Sequence, residues 1–294
     1  MRLHTAGEPG KSKTRAKAEP AKRWEYLSDS SPKDRPWDSH RTDATGVEEH
    51  LKSPGTERWL WKQGKRVEAC SPSLGFALTA DPETGEAGLR LKDAKFCRVR
   101  FCPVCQWRRS LMWQARFHKS LPDVLATVPD AQFLFLTLTV KNCAIEDLRA
   151  TLSAMGKAWN RFTQRKHFER IEGWIRTVEV TRGADGSAHP HFHALLLVKP
   201  SYFKKHYVPQ ADWRDAWQAA MRLDYEPQVH ITKVRTKKAH RERAGDDAAA
   251  LRAAAAETLK YSVKPSDMLA DRDWFLELVR QTFRTRAIAS GGVL

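Results

Sequence analysis

The sequence predicts an α+β protein built around one antiparallel sheet, and three observations carry this prediction. Residues 132–140 (QFLFLTLTV) form an apolar run rich in strand-forming residues. Apolar residues then recur at intervals of three and four from Ile145 to Phe162, which indicates an amphipathic helix. Two further apolar runs, 174–181 and 191–198, flank an Arg-Gly-Ala-Asp-Gly segment with turn composition. We therefore expect a hairpin there, centred on Asp185.

The order of the remaining elements narrows the fold. A helix at about 210–223 and a strand at about 228–235 follow the hairpin, so the order is β-α-β-β-α-β. This order predicts a ferredoxin-like or RRM-like sheet with its first and third strands in the centre. An Ala-rich helix at about 246–263 and a closing helix at about 272–287 complete the predicted domain, residues 123–294.

Two segments precede that domain. Residues 1–55 are charged and lack a periodic apolar pattern, so we expect a disordered tail. Residues 56–122 contain most of the cysteines, which predicts a small metal-binding module. That module ends in a helix that we expect to stop at Pro122.

Charge points to an anionic partner. The chain has 51 Lys and Arg against 35 Asp and Glu, a formal net charge of +16. Such an excess is typical of proteins that neutralise nucleic-acid phosphates. The longest apolar run, 133–140, is too short to cross a bilayer, and no secretory signal is visible at the N-terminus. We expect a soluble, intracellular protein that does not interact with membranes.

A row of histidines indicates a metal site. His189, His191 and His193 alternate along one predicted strand, so their side chains share a face of the sheet. If the hairpin turn centres on Asp185, Glu179 lies directly opposite His191. A carboxylate beside imidazoles with open positions suits Mg²⁺ or Mn²⁺ in a catalytic role. The alternatives are solvent-facing histidines, and a Glu179 carboxylate that pairs with Arg176 or Arg182.

The cysteines predict a second, structural metal site. Cys97, Cys102 and Cys105 lie close together, and Cys70 offers a fourth thiolate for a closed tetrahedral Zn²⁺ site. Cys143 or a histidine remains an alternative fourth ligand. We expect such a site to secure loops that present basic residues to DNA. The predicted DNA-binding residues are Arg98, Arg100, Arg108 and Arg109 near the cysteines, and Lys233, Arg235, Lys237 and Lys238 after the last strand. A solvated loop is the alternative for the second group.

Glu257 and Tyr261 are four residues apart on the predicted Ala-rich helix, so they would share one face. A tyrosine can act as a covalent nucleophile toward a phosphodiester, although only about 0.1% is ionised at pH 7. Lys264 could stabilise charge on the phosphate or lower the pKa of the phenol.

Together these motifs resemble those of plasmid rolling-circle replication initiators of the HUH endonuclease superfamily. The segments that carry the resemblance are Phe-Leu-Thr-Leu-Thr at 135–139, His-Pro-His-Phe-His-Ala-Leu-Leu at 189–196 and Glu-Thr-Leu-Lys-Tyr-Ser-Val-Lys at 257–264. The Cys-Pro-Val-Cys-Gln-Trp-Arg-Arg segment at 102–109 is similar to the cysteine region that precedes them.

The resemblance implies a function and assigns roles. His191 and His193 would bind the divalent ion, and Tyr261 would become attached to the 5′ end of a nicked origin strand. The freed 3′-OH would prime synthesis, with host helicase, polymerase and single-strand-binding protein as partners in the bacterial cytoplasm. Glu257 would activate water to end the cycle, as in the branch with a single catalytic tyrosine. His189 would have no fixed catalytic role.

Three other functions remain open from the sequence. A transposase or a conjugative relaxase could use the same metal and tyrosine. A zinc-containing DNA-binding regulator without catalytic activity would make the histidines incidental.

Overall fold

A computed structural model describes residues 35–80, 85, 87–235, 246–260 and 262–294 of the chain. The chain divides into two compact units, Met1–Ser39 and His40–Leu294. Of the first unit, only residues 35–39, at the start of a helix, are described. The second unit, His40–Leu294, contains the main sheet, the five cysteines and the row His189, His191 and His193.

The helices and strands of the described residues have the following bounds. The helices are α1 (Arg35–Lys52), α2 (Arg58–Glu68), α3 (Pro103–Thr127), α4 (Leu148–Phe162), α5 (Ser201–Lys205), α6 (Gln210–Met221), α7 (Asp246–Thr258), α8 (Pro265–Ala270) and α9 (Arg272–Thr282). The strands are β1 (Leu74–Ala80), β2 (Ala87–Ala94), β3 (Gln132–Thr139), β4 (Ile171–Arg182), β5 (Ala188–Val198), β6 (Val229–Lys233) and β7 (Ile288–Gly292).

The main sheet has the order β6-β3-β5-β4-β7, and all of its neighbouring strands are antiparallel. The predicted α+β class is confirmed, and so is the central position of the first and third strands of the motif, β3 and β5. Strand β7 was not predicted, because residues 288–292 (IASGG) are short and glycine-rich. At Gly291 a Cβ atom would come within 2.8 Å of the Trp174 indole, so this edge strand can approach β4 because it lacks a side chain there.

The two faces of the sheet pack differently. On one face, Trp159 of α4 and Trp217 of α6 contact Phe192 of β5. Phe162 of α4 packs on Trp213 and Trp217 of α6. On the other face, α3 and α7 cover an apolar cluster that includes Phe133, Ile175, Leu195 and Leu197. The next residues on that second face are His193 and Thr177, followed by His191 and Glu179. The face therefore changes from an apolar core to polar side chains along the same strands.

The prediction of a disordered tail to residue 55 is wrong for residues 35–52, which form α1. Ala44, Val47 and Leu51 recur at three and four and are buried, a short apolar stripe that the surrounding charge obscured. The Arg41 guanidinium also donates hydrogen bonds to the carbonyl oxygens of Val67, Glu68 and Cys70. Residues 1–34 lie outside the described part of the chain.

Three predicted helix ends are wrong. Helix α3 continues past Pro122 to Thr127; Pro122 is exposed, so water can reach the carbonyl that lost its amide donor, while Phe117 and Val124 stay buried. Helix α7 ends at Thr258 rather than near 263, and α9 ends at Thr282 rather than near 287. Among the described residues, no helix combines the length and hydrophobicity needed to cross a bilayer.

Candidate functional site

The hairpin β4–β5 brings Glu179 beside two histidines. Glu179 is paired with His191 in the strand register, so the predicted turn geometry is confirmed. The Oε2 atom of Glu179 lies 3.1 Å from Nε2 of His191 and 2.9 Å from Nε2 of His193. The alternation of side chains along β5 explains this convergence, because every second residue points to the same face. We call Glu179, His191 and His193 the triad.

The surroundings of His193 fix its ring. Nδ1 of His193 lies 3.1 Å from Oγ1 of Thr137 on the neighbouring strand, within hydrogen-bond distance. The imidazole also stacks on the Phe135 ring, with the centroids 5.5 Å apart. These contacts leave Nε2 directed toward Glu179, an arrangement that is typical of a metal-binding histidine oriented by its second nitrogen.

His189 stands apart from the triad. Its ring centroid lies 5.4 Å from that of His191, but the group of potential ligand atoms contains only Glu179, His191 and His193. Burial, followed by the charge of His191, lowers the pKa of His189. These surroundings therefore disfavour the charged form of the His189 imidazole.

Lys260 is a residue of the site that the sequence analysis missed. Its Nζ atom lies 3.1 Å from Oε2 of Glu179, and it also forms an ion pair with Glu257. Lys260 thus joins the triad to the second carboxylate of the predicted machinery. In the sequence, only its position directly before Tyr261 marks Lys260. Helical spacing from Tyr261 favours Lys264 instead.

The triad fits a divalent cation. Glu179 is 3% exposed, and its three neighbours all approach the same oxygen with nitrogen atoms. Burial alone would raise the pKa of the carboxyl, but hydrogen bonds from His191 and His193 and the charges of His191 and Lys260 outweigh it and hold the pKa well below its usual range. One ligand atom from each triad residue lies within 4.8 Å of the others. One carboxylate and two neutral imidazoles could hold a metal ion here.

The alternative partners of Glu179 are engaged elsewhere. The Arg176 guanidinium lies over the Phe192 ring at 4.0 Å, on the opposite face of the sheet. Arg182 forms an ion pair with Asp271 at 3.0 Å. Neither arginine forms a described ion pair with Glu179, so that alternative is wrong.

The segment after α7 crosses the triad end of β4. The Thr177 hydroxyl donates to the carbonyl oxygen of Thr258, and the Val180 amide donates to that of Ser262 at 2.8 Å. Tyr261 lies outside the described residues. Helix α7 ends at Thr258, short of its predicted end near residue 263, and the prediction that Glu257 and Tyr261 share a helical face lies outside the described residues.

Glu257 and Lys264 have different surroundings. Glu257 is half-exposed and paired with Lys260, which places it one side chain away from the triad. Lys264 is exposed at the residue before α8, and no described contact joins it to the triad. Of the predicted catalytic residues in the described part of the chain, Glu257 is therefore the one linked to the metal site.

The four predicted cysteines form a second potential metal site. The Sγ atom of Cys105 lies 3.5 Å from that of Cys97 and 3.7 Å from that of Cys70, and the Cys70 and Cys102 sulfurs are also 3.7 Å apart. Four sulfurs around Zn²⁺ at about 2.3 Å would be separated by about 3.8 Å. All four cysteines are free thiols, so no disulfide accounts for their proximity. The separations fit a closed tetrahedral metal site.

The chemistry of the cysteine cluster also favours a cation. Backbone amides of Cys97, Arg98 and Val99 donate to sulfur atoms of the cluster. Hydrogen bonds among the thiols, first that from Cys102, hold the pKa of Cys70 far below its usual range. Hydrogen bonds with Cys105, then with Cys70 and Cys97, raise the pKa of Cys102. Four thiols this close could all ionise only with a positive charge among them. Cys143, the alternative ligand, is not in the cluster.

The predicted DNA-binding residues differ in their exposure and in the side chains that they contact. Arg98 and Arg235 are exposed, and Lys233 lies over the Phe203 ring at 4.2 Å. Arg108 lies over the Trp107 ring at 5.5 Å, while Arg109 lines a cleft with Lys260 and Ser262. Lys237 and Lys238 lie outside the described residues.

Arg100, another predicted DNA-binding residue, forms hydrogen bonds within the protein. Its Nη1 atom donates to the carbonyl oxygens of Thr282 and Thr285 and to the hydroxyl of Thr285, at 2.8–3.0 Å. The Nη1 atom is engaged in these internal bonds, and the role of Arg100 as a direct DNA contact stays a prediction. Sequence could not show this, because the partners lie more than 180 residues away.

An α+β sheet that carries a Glu-His-His site, with a four-cysteine site in the same unit, defines a protein with two potential metal centres. A family profile described as "Replication protein" matches residues 88–294. The chain belongs to this family, and the resemblance to plasmid replication initiators that its motifs suggested is confirmed.

Known relatives agree with the family assignment. The chain is 37% identical over 270 residues to "Protein rep" of Lactiplantibacillus plantarum, covering 88% of this chain and 80% of the relative. It is 35% identical over 269 residues to "Protein rep" of Lentilactobacillus hilgardii, covering 89% and 81%. A "Replication protein" of Staphylococcus aureus is 35% identical over 186 residues, covering 60% of this chain and 76% of the relative. No solved structure matches the chain.

Proposed function

We propose that this replication protein is a metal-dependent nuclease with an HUH endonuclease fold that nicks one strand of a plasmid origin. Tyr261 forms a 5′-phosphotyrosine link, and the released 3′-OH primes rolling-circle replication. One observation carries the proposal: the buried carboxylate of Glu179 binds two histidines and also Lys260, the residue directly before Tyr261. The relatives' names favour replication over a transposase or a relaxase.

The triad residues would hold Mg²⁺ or Mn²⁺, which polarises the scissile phosphate when bound. Thr137 and Phe135 fix the ring of His193, so the ligand nitrogen needs little reorganisation. Ser262, on the other side of Tyr261 in sequence, accepts a hydrogen bond from Val180 of β4. Both sequence neighbours of the tyrosine are thus held at the triad end of the sheet.

In the proposed nicking step, the phenolic oxygen of Tyr261 attacks phosphorus and gives up its proton. The phenolic proton passes to solvent, the bond from phosphorus to the 3′ oxygen breaks, and that oxygen takes up a proton from solvent and leaves as a 3′-OH. Lys260 and Arg109, which line one cleft, supply positive charge beside the reacting phosphate. Lys264 is proposed to assist from the same segment. The strand must be unpaired to reach this site, since stacked duplex bases would hold the phosphate away.

Strand transfer is reversible through the same phosphotyrosine, so ending the cycle requires water. Glu257 is half-exposed and one ion pair away from the triad, which suits a general base that activates water. Zn²⁺ in the cysteine site would be structural, because four thiolates leave no open coordination position. Host helicase, polymerase and single-strand-binding protein are the proposed partners after nicking.

Nicking of a supercoiled plasmid that carries the cognate origin, with Mg²⁺ or Mn²⁺, tests this proposal. The wild-type protein is expected to relax the plasmid and remain covalently attached to a 5′ DNA end. Tyr261→Phe is expected to lose both nicking and the adduct, because it removes the attacking oxygen. Tyr207→Phe is the matched control, since Tyr207 is 63% exposed and is not part of the site. Equal nicking by wild type and Tyr261→Phe would contradict the proposal.

Replacing Glu257 tests the termination step separately. Glu257→Ala is expected to keep initial nicking within a few-fold of wild type, while hydrolytic release of the enzyme falls by roughly 100-fold, the lower range for loss of a general base. Covalent complexes should therefore accumulate, which denaturing electrophoresis of labelled DNA measures. Glu169→Ala, an exposed glutamate outside the site, serves as control. If the adduct turns over at the wild-type rate, Glu257 has no role in termination.

A further inference from the structure

A cleft beside the cysteine site gathers arginines from three separate parts of the chain. Arg66 comes from α2, Arg98 and Arg100 from the loop that carries Cys97, and Arg284 from the segment after α9. None of the described residues that line the cleft is acidic; the others are Gln63, Val99, Phe101, Val279, Thr282 and Phe283. So many positive groups without a carboxylate make a site that favours an anion.

This arginine cleft has two main walls, the cysteine loop and the segment after α9, and hydrogen bonds hold them together. Arg100 donates to Thr282 and Thr285, so it ties the cysteine loop to the segment that carries Arg284. Burial, and then the charge of Arg109, lower the pKa of Arg100 to about 10, which still leaves it charged at neutral pH. Arg100 thus adds positive charge to the lining of the cleft, and its hydrogen bonds hold the backbone at Thr282 and Thr285 in place.

The cysteine cluster positions the other wall. The backbone amide of Arg98 donates to Sγ of Cys105 at 3.3 Å, and Nη2 of Arg66 donates to the carbonyl oxygen of Cys97 at 2.6 Å. The folded cysteine site therefore determines where Arg66 and Arg98 lie. Such preorganisation lowers the entropic cost of binding a ligand.

The outer part of the cleft is available to a ligand. Arg98 and Arg284 are exposed, and neither forms an ion pair with a described carboxylate. The exposed ring of Phe283, which lines the cleft, packs on the Trp59 ring with the centroids 5.1 Å apart. Planar guanidinium groups match phosphate oxygens well.

The geometry points to this cleft as a binding site for backbone phosphates of duplex DNA that flanks the nicked segment. The inference rests on the proposed function only in taking DNA as the substrate. It assigns a separate role to the cysteine module: the triad processes an unpaired strand, whereas Arg98 and Arg284 anchor the adjoining duplex. Recognition of phosphates alone predicts affinity without sequence preference.

The test measures binding of the full-length, zinc-loaded protein to a labelled duplex of about 30 base pairs with random sequence, across a series of salt concentrations. Each phosphate contact contributes about 0.9 to the slope of log affinity against log salt. Arg98→Gln/Arg284→Gln is therefore expected to lower the slope by about 2 and the affinity by roughly tenfold. Arg284→Gln alone, remote from the cysteines in sequence, should lower the slope by about 1. Arg170→Gln/Arg222→Gln, which removes two exposed arginines elsewhere, should leave it unchanged.

Two results would overturn the inference. One is a slope of log affinity against log salt that is the same in both cleft variants as in the wild-type protein. The other is an equal loss of affinity for single-stranded oligothymidine, which would assign the cleft to the unpaired strand. Nicking of a short single-stranded substrate should stay at the wild-type rate in Arg284→Gln, because the triad is unchanged. If the wild-type protein does not nick, the proposed function is contradicted. The salt slopes still test the cleft, because they measure binding and do not depend on nicking.

Discussion

His193→Ala is expected to abolish metal-dependent nicking, lowering the rate by at least about 100-fold. Residues that merely orient metal ligands contribute up to about that factor, and His193 is a proposed ligand itself. The substitution removes one nitrogen from the triad and leaves Glu179 with His191 and Lys260. Titration calorimetry with Mn²⁺ provides a readout that does not depend on nicking, and the variant should bind the ion much more weakly than wild type.

The control for this experiment is His206→Ala. His206 follows α5 and is not among the potential ligand atoms at the triad, so its loss should change neither Mn²⁺ affinity nor nicking. If His193→Ala folds normally and binds Mn²⁺ as tightly as wild type, the triad is not the metal site. The same conclusion would follow if nicking proceeds equally well in the presence of excess chelator.

Cys102→Ser is expected to have the largest effect on stability. Cys102 is fully buried at the start of α3, and structural Zn²⁺ in small domains contributes about 10–16 kcal/mol of apparent binding free energy. Loss of one thiolate should reduce bound zinc from one ion per chain to near zero. The cysteine loop then loses its link to α2, and the melting temperature should fall sharply or the protein should aggregate.

Elemental analysis and thermal denaturation of freshly purified protein measure this effect. Cys143→Ser is the matched control, because Cys143 is only partly buried and lies outside the cluster. It should keep zinc, and its free energy of unfolding should stay within about 1–2 kcal/mol of the wild-type value, as for most single substitutions. Wild-type protein without bound metal, or a Cys102→Ser variant that retains zinc, would refute the structural site.

The sequence by itself determined strands β3 to β6, the hairpin and the pairing of Glu179 with His191. These features depend on local rules: side chains alternate along a strand, and a short turn sets the register of its two strands. The pairing therefore followed from counting residues across Asp185. The spacing of Cys97, Cys102 and Cys105 is equally local.

Tertiary structure decided the features that depend on distant parts of the chain. It brought Lys260 to Glu179, because α7 ends at Thr258 and the following residues cross β4. It gave Arg100, a predicted DNA contact, hydrogen bonds to carbonyl groups that are 182 and 185 residues away. It also selected Cys70 over Cys143 as the fourth thiol. Periodicity describes only neighbours along the chain, whereas an ion pair, a buried arginine or a metal cluster depends on which surfaces meet after packing.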